Sequence, residues 1–310
     1  MRRRVVIAVG IILICLGIGA LVQSLRGGND KPSGGSDNPG GVSVTPSVEV
    51  RPTKDPNRPR PDLDIPEQVI YDEGGIIIKT DGAEYDQYGY PALHLICENN
   101  SDREFGVAVP LVAINRKMVK SYPYQMEAWM ETLPGGRAES YLSLYGMDVS
   151  TTKLGQSIEI QLWGSTGENF QDTLFKTTAT IKTASYTDTF SYESLENRIY
   201  DKDGVTIDYV FRDAEKSIEF LITNQTDDCF SCEFTEFYVN GNRARHLDNR
   251  YFQDCVLPGC QRRILFDSET FLDDEIRVSD IETIDFSFLA GPEDQFFSSC
   301  RNDPIHIDLR

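Results

Sequence analysis

The sequence repeats itself, and that constrains the fold more than any composition. Tyr71-Asp-Glu-Gly-Gly75 returns as Tyr200-Asp-Lys-Asp-Gly204, and Asn99-Asn-Ser-Asp102 returns as Asn224-Gln-Thr-Asp227. Asn115 matches Asn240, and Leu133-Pro-Gly-Gly136 matches Leu257-Pro-Gly-Cys260. The offsets are 129, 125, 125 and 124 residues, so four landmarks in one order at one spacing mark a duplicated unit. Each copy, residues 66–184 and 185–310, is of ordinary single-domain size.

Both copies read as short strands. In Lys216-Ser-Ile-Glu-Phe-Leu-Ile-Thr223 the side chains of Ile218, Phe220 and Ile222 share one face. At offset 125 their places are taken by Leu93, Leu95 and Cys97. Asn99-Asn-Ser-Asp and Asn224-Gln-Thr-Asp read as turns, because short polar side chains bond their own backbone there. Asn240-Gly241 is the signal of a tight hairpin between Phe234–Val239 and Arg243–His246. Further strands are expected at 138–144, 157–163 and 173–183, and at 263–266, 283–289 and 295–309. Asp148–Leu154 and Ser268–Arg277 are the only stretches with helical character. Strands of this length and number predict an all-β chain of two tandem antiparallel sandwiches.

The segments ahead of the copies are of other kinds. Met1-Arg-Arg-Arg4 precedes Val5–Val22, a run of eighteen residues without a charge. At about 1.5 Å per residue such a run crosses a hydrocarbon core of roughly 30 Å. It exceeds the usual apolar stretch of a cleaved signal peptide, so residues 1–26 are expected to be a membrane anchor, with cleavage after Ile18-Gly-Ala20 as the alternative. The arginines would stay cytoplasmic, placing the rest outside a plasma membrane. Residues 27–65 are rich in Gly, Ser and Pro and are expected to form a disordered stalk.

Net charge divides as +4 over residues 1–26, −1 over 27–65, −7 over the first copy and −15 over the second, for −19 in all. Such acidity disfavours nucleic acid and anionic lipid as partners.

The run of a strand ending in Asn-x-Ser/Thr-Asp, Val239-Asn-Gly241, Leu-Pro-Gly, a short helix, and Ile158-Glu-Ile160 or Ile284-Asp-Phe286 resembles tandem immunoglobulin-like repeats. Proteins of that kind are membrane-anchored on the surface of Gram-positive anaerobic bacteria. The first copy departs from the pattern, with Asn115-Arg-Lys117 in place of Asn-Gly. The resemblance implies a fold and an address, and no activity.

Candidate functional residues are few. Cys229, Cys232, Cys255, Cys260 and Cys300 crowd the second copy. In an exported domain they suit local disulfides or free thiols. The set C-x₂-C…C-x₄-C is also a possible zinc arrangement. Cys97, in phase with Leu93 and Leu95, reads as a buried free thiol. His94 and His306 fall out of phase with the apolar side chains and His246 ends a hairpin strand, so all three are expected at the surface. Asp201–Asp208, faintly like a calcium loop, reads as a turn because both copies have one there. No nucleophile elbow, metalloprotease or nucleotide-binding motif occurs, which favours a non-enzymatic protein without cofactor. Tyr85, Tyr88, Tyr90, Tyr122, Tyr124 and Trp129 are the aromatics offered for contact with an envelope protein or a glycan. The expected function is a structural or interaction module of the cell envelope, with carbohydrate binding and an enzyme of unrecognised site as alternatives.

Overall fold

A computed structural model describes residues 61, 63–86, 88–120, 127–144, 156–167, 170–212, 217–243, 253–266, 281–293 and 304–308. The anchor 1–26, Tyr122, Tyr124, His246, Cys300 and both expected helical stretches lie outside these residues. Residues Pro59–Arg310 form one compact unit. Among the described residues the regular structure is β, and no helix is long and apolar enough to cross a membrane.

The first copy begins with β1 (Gln68–Glu73), β2 (Ile76–Tyr85) and β3 (Pro91–Asn99). With β8 (Arg137–Ser143) they make a four-stranded antiparallel sheet in the order β1-β2-β3-β8. Facing it are β4 (Phe105–Val109), β5 (Val112–Ile114), β6 (Lys117–Lys120), β7 (Ala128–Thr132), β9 (Ser157–Thr166) and β10 (Asp172–Lys182). The core between them is largely aliphatic, built on Ile78, Leu93, Leu95, Cys97, Val107, Ile160 and Leu162.

The second copy follows the same order. β11 (Asn197–Lys202), β12 (Val205–Arg212), β13 (Ser217–Asn224) and β17 (Gln261–Phe266) answer β1-β2-β3-β8. β14 (Phe230–Val239), β15 (Asn242–Arg243), β16 (Gln253–Val256), β18 (Thr283–Pro292) and β19 (Ile305–Asp308) cover them. The bulge between Val69 and Tyr71 recurs between Arg198 and Tyr200. This core is aromatic. Phe220 meets Phe266 and Phe286 edge-on, with centroids 5.5 and 5.1 Å apart, the arrangement that aligns ring quadrupoles favourably. Ile218, Phe220 and Ile222 point into it, as their alternation predicts.

The repeated sequence landmarks are repeated hydrogen-bond devices. Asn99 Nδ2 donates to the carbonyls of Arg103 and Thr132, while its Oδ1 accepts from Ser101 N and Oγ. Asn224 does the same with Asp228, Val256 and both donors of Thr226. Asn115 Oδ1 accepts from Gln156 N and Ser157 N, and Asn240 Oδ1 from Glu282 N and Thr283 N. The missing Asn-Gly of the first copy changes no geometry. Asn115 and Arg116 take φ of 51° and 60°, close to the 50° and 75° of Asn240 and Gly241. A non-glycine at φ near +60° is strained by roughly a kcal/mol. Arg116 is held there by Glu159 Oε2 on its N–H (3.0 Å) and by Phe190 under its guanidinium (5.2 Å).

The two copies are joined. β17 meets β6 in parallel at Gln261 and Lys117, which makes one ten-stranded sheet, β11-β12-β13-β17-β6-β5-β9-β4-β7 with β10 on β9. Gln261 N donates to Arg116 O at 2.7 Å. Leu111, Ala113 and Met118 of the first copy are buried within the second copy's core. Glu193 links Lys117 (2.6 Å) to Arg263 across the seam, and those cations draw its carboxyl below the ordinary range.

One sequence boundary is corrected. The expected stalk ran to residue 65, yet Ile65 is buried in the first core, Leu63 packs on it, and Asp64 O accepts from Ala184 N. The prolines here space apolar side chains that the fold takes up.

Candidate functional site

The described tyrosines form a hairpin tip. Asp86 Oδ1 accepts from Tyr88 N (2.8 Å) and Tyr90 N (2.9 Å), which fixes the turn between β2 and β3. Tyr88 is 74% and Tyr90 39% exposed, while Tyr85 is half-buried.

Trp129 belongs to a different surface. On β7 it is out of phase with the core residues Ala128 and Met130, so it stands on the outer face of the sheet. Register places Trp129, Ala108, Trp163 and Lys176 in one row across β7, β4, β9 and β10. The next row is Glu131, Gly106, Ser165 and Thr173. Trp129 packs its benzo ring against Gly106. A Cβ at that glycine would come within 2.3 Å of Cζ2 and 2.4 Å of Cη2. Phe170 meets the same indole edge-on at 5.1 Å. Trp163 Nε1 donates to Thr173 Oγ1 at 3.2 Å, and Lys176 Nζ sits 5.4 Å from the ring centroid. Both indoles are half-buried, and they are the only tryptophans of the chain.

Trp163 was not singled out from sequence. Its signal was present: Glu159, Gln161 and Trp163 alternate with the core residues Ile158, Ile160 and Leu162, so the indole had to face outward. Gly106 inside a strand was a second cue, since such a glycine often marks a close approach.

The same outer face continues beneath the second copy. There Gln161, Lys176, Thr178, Asp228, Cys229 and Glu293 line a cleft of ≈ 300 Å³. Gln161 Nε2 donates to Cys229 Sγ (3.1 Å) and Glu293 Oε2 (3.0 Å), and Lys176 Nζ lies 2.6 Å from Glu293 Oε1. Burial, reinforced by Glu293, pushes the Cys229 thiol up to about 12. It is therefore protonated at neutral pH and a poor nucleophile or ligand.

The described cysteines fall in two places, Cys97 in the first core and Cys229, Cys232, Cys255 and Cys260 in or against the second. Cys97, Cys229, Cys232, Cys255 and Cys260 are separate thiols. Ser231 and Cys255 are partners in register and share a 2.9 Å hydrogen bond, so Cys255 lies on the face of β14–β16 opposite to Cys232. Cys229 immediately precedes β14, close enough to Cys255 to act on it electrostatically. Burial raises the thiol pKa of each. Among the described residues, no three His, Cys, Asp or Glu side chains gather to hold a metal.

His94 corrects an expectation. It points away from the core as its phase required, yet it is 3% exposed. Its Nδ1 lies 2.8 Å from Asp81 Oδ1, its Nε2 3.2 Å from Glu139 Oε2, and its ring stacks on Tyr141 at 4.8 Å. Neighbouring strands cover the central strand β3, so out-of-phase does not mean exposed here. Both ring nitrogens face carboxylates. His306 is exposed and paired with Asp285 at 2.6 Å. Asp201 and Asp208 of the calcium-like turn are both taken by Arg198.

No family model and no curated protein matches the chain. Among solved structures it is similar to the Salmonella enterica SafA pilin in complex with the SafB chaperone, at 13% identity over 70% of this chain and 89% of that one, with a TM-score of 0.21. It is also similar to the Amycolatopsis orientalis exo-chitosanase CsxA, at 7% identity over 78% of this chain and 26% of that one, again with a TM-score of 0.21. Likenesses of that size carry no argument about function.

Proposed function

We propose that this chain is a non-enzymatic interaction module of the cell envelope, held at the plasma membrane by residues 5–22 with its two immunoglobulin-like copies outside. The observation that carries the reading is the seam between the copies. Gln261, Met118 and Leu111 join the two copies, which supports outer sheet faces held in fixed relation, as a docking scaffold requires. The groups that chemistry would need support the same view. His94 faces two carboxylates, and the buried thiols are held protonated.

The test is retention. The full chain, immobilised in lipid nanodiscs, is exposed to solubilised envelope, and bound material is identified by mass spectrometry. Enrichment of a defined envelope protein or polymer over empty nanodiscs is expected. Retention of nothing would remove the proposal. Protease added outside intact cells should degrade residues 61–310; their full protection would refute the orientation.

A further inference from the structure

We infer that the outer face of β7–β4–β9–β10 binds an uncharged glycan chain, with one sugar ring on Trp129 and another on Trp163. This names the partner class of the interaction module proposed above and rests on that reading.

Geometry is the first argument. Trp129 and Trp163 stand in one row with Ala108 between them, two strand spacings or about 10 Å apart. The residues between and below the rings are small. Gly106 lies under Trp129, while Ala108 and Ser165 complete the floor. The Trp129 benzo ring packs against the bare backbone of Gly106, and both indoles stay partly accessible on this face. The negative face of an aromatic ring attracts the weakly positive C–H faces of a sugar. Thr173, exposed beside Trp163, adds a hydroxyl for the sugar's own hydroxyl groups.

Charge is the second argument. Trp129, Gly106, Ala108, Trp163, Ser165 and Thr173 carry none; Glu131 is the one carboxylate in these two rows, and Lys176, whose ammonium lies over one part of the Trp163 ring, is paired with Glu293. A chain of net charge −19 repels polyanions, so an acidic polymer is disfavoured and a neutral one is not. Continuity is the third. One row along β9 and β10, at Gln161 and Thr178, the face already meets the second copy at Cys229 and Glu293. The tryptophan row is the open continuation of a face that already serves as an interface.

The experiment uses the full chain in nanodiscs, because glucoside detergents would compete. Native gels containing amylose, xylan, galactomannan or a β-1,3-glucan are run beside gels containing polygalacturonate. Tryptophan emission is titrated with the same polymers. Since both tryptophans lie on this face, binding must change the emission. Retardation by at least one neutral polymer with a concentration-dependent emission shift is expected, and none by polygalacturonate. Trp129→Ala and Trp163→Ala should each weaken retardation roughly tenfold or more, as loss of a central aromatic anchor does. Gly106→Ala should do the same with Trp129 still present, because the added Cβ evicts the ring. Leu265→Ser, on the second copy, should change nothing.

No retardation and no emission change across the panel would overturn the inference. So would retardation that survives both tryptophan variants, retardation without an emission change, or preference for the anionic polymer. An envelope protein retained equally by wild type and by the double tryptophan variant would leave the interaction module standing and end the glycan assignment.

Discussion

Gln261 is the residue on which the seam turns, and its removal makes the sharpest stability prediction. The side chain is 3% exposed and makes three hydrogen bonds. Nε2 donates to Thr223 Oγ1 (2.8 Å) and Glu193 O (2.9 Å), and Oε1 accepts from Glu193 N at 3.1 Å. Each bond is worth about 0.5–1.5 kcal/mol net, and a buried partner left unpaired costs more. The Glu193 backbone is near solvent and regains water, whereas Thr223 is 2% exposed and does not. Gln261→Ala should therefore cost about 2–4 kcal/mol. With a urea slope of about 3 kcal/mol/M for a unit of this size, the midpoint should fall by about 1 M. Both tryptophans belong to the first copy and Gln261 to the second. If the seam couples the copies, the tryptophan-detected midpoint falls along with the far-UV midpoint. Gln261→Met, which keeps the volume and loses the bonds, should fall similarly. A tryptophan midpoint that stays put while the far-UV midpoint drops would refute the reasoning.

Other consequences are as direct. Asn99→Ala and Asn224→Ala each remove the same four hydrogen bonds, so each should cost about 2–4 kcal/mol, and the two urea midpoints should fall by similar amounts. A large cost at one site and none at the other would mean that the devices are alike in form only. Cys229, with its thiol pushed up to about 12, should alkylate slowly with iodoacetamide at pH 7.5 and about tenfold faster per pH unit up to pH 10; rapid modification at pH 7.5 would contradict the buried setting. Glu159 is raised above the ordinary 4.5, first by burial, while Ser157 and Arg116 oppose the shift. The folded state then holds that proton to higher pH than the unfolded chain, so this group's contribution is most favourable below 4.5 and is lost as pH rises through the raised value. Glu159→Gln should flatten that part of the pH profile of the urea midpoint; an unchanged difference between wild type and variant from pH 4 to 7 would rule it out.

Local features were legible because local chemistry decides them. Asn99 and Asn224 could be placed in turns, and Leu93, Leu95 and Cys97 on the core face, from side-chain chemistry and a period of two. What escaped was non-local. Nothing near Gln261 announces that it pairs with Lys117, 144 positions away, because the parallel contact depends on where two finished sheets meet. The burial of His94 depends on Asp81, Glu139 and Tyr141 arriving from β2 and β8. The tryptophan face was half visible. Trp129 was chosen for its polar neighbourhood, while Trp163 stayed hidden in a strand whose alternation was read only for the core. The tyrosines at 85, 88 and 90 did cluster at a hairpin tip, but register puts no tyrosine in the row with Trp129.

The account stands on the seam making one body of two copies. Differential scanning calorimetry of the full chain tests this most directly. One transition is predicted, with the calorimetric enthalpy equal to the van't Hoff enthalpy. Two resolved transitions, or a calorimetric enthalpy near twice the van't Hoff value, would mean that the copies unfold independently, and the rigid scaffold with its fixed tryptophan face would be contradicted.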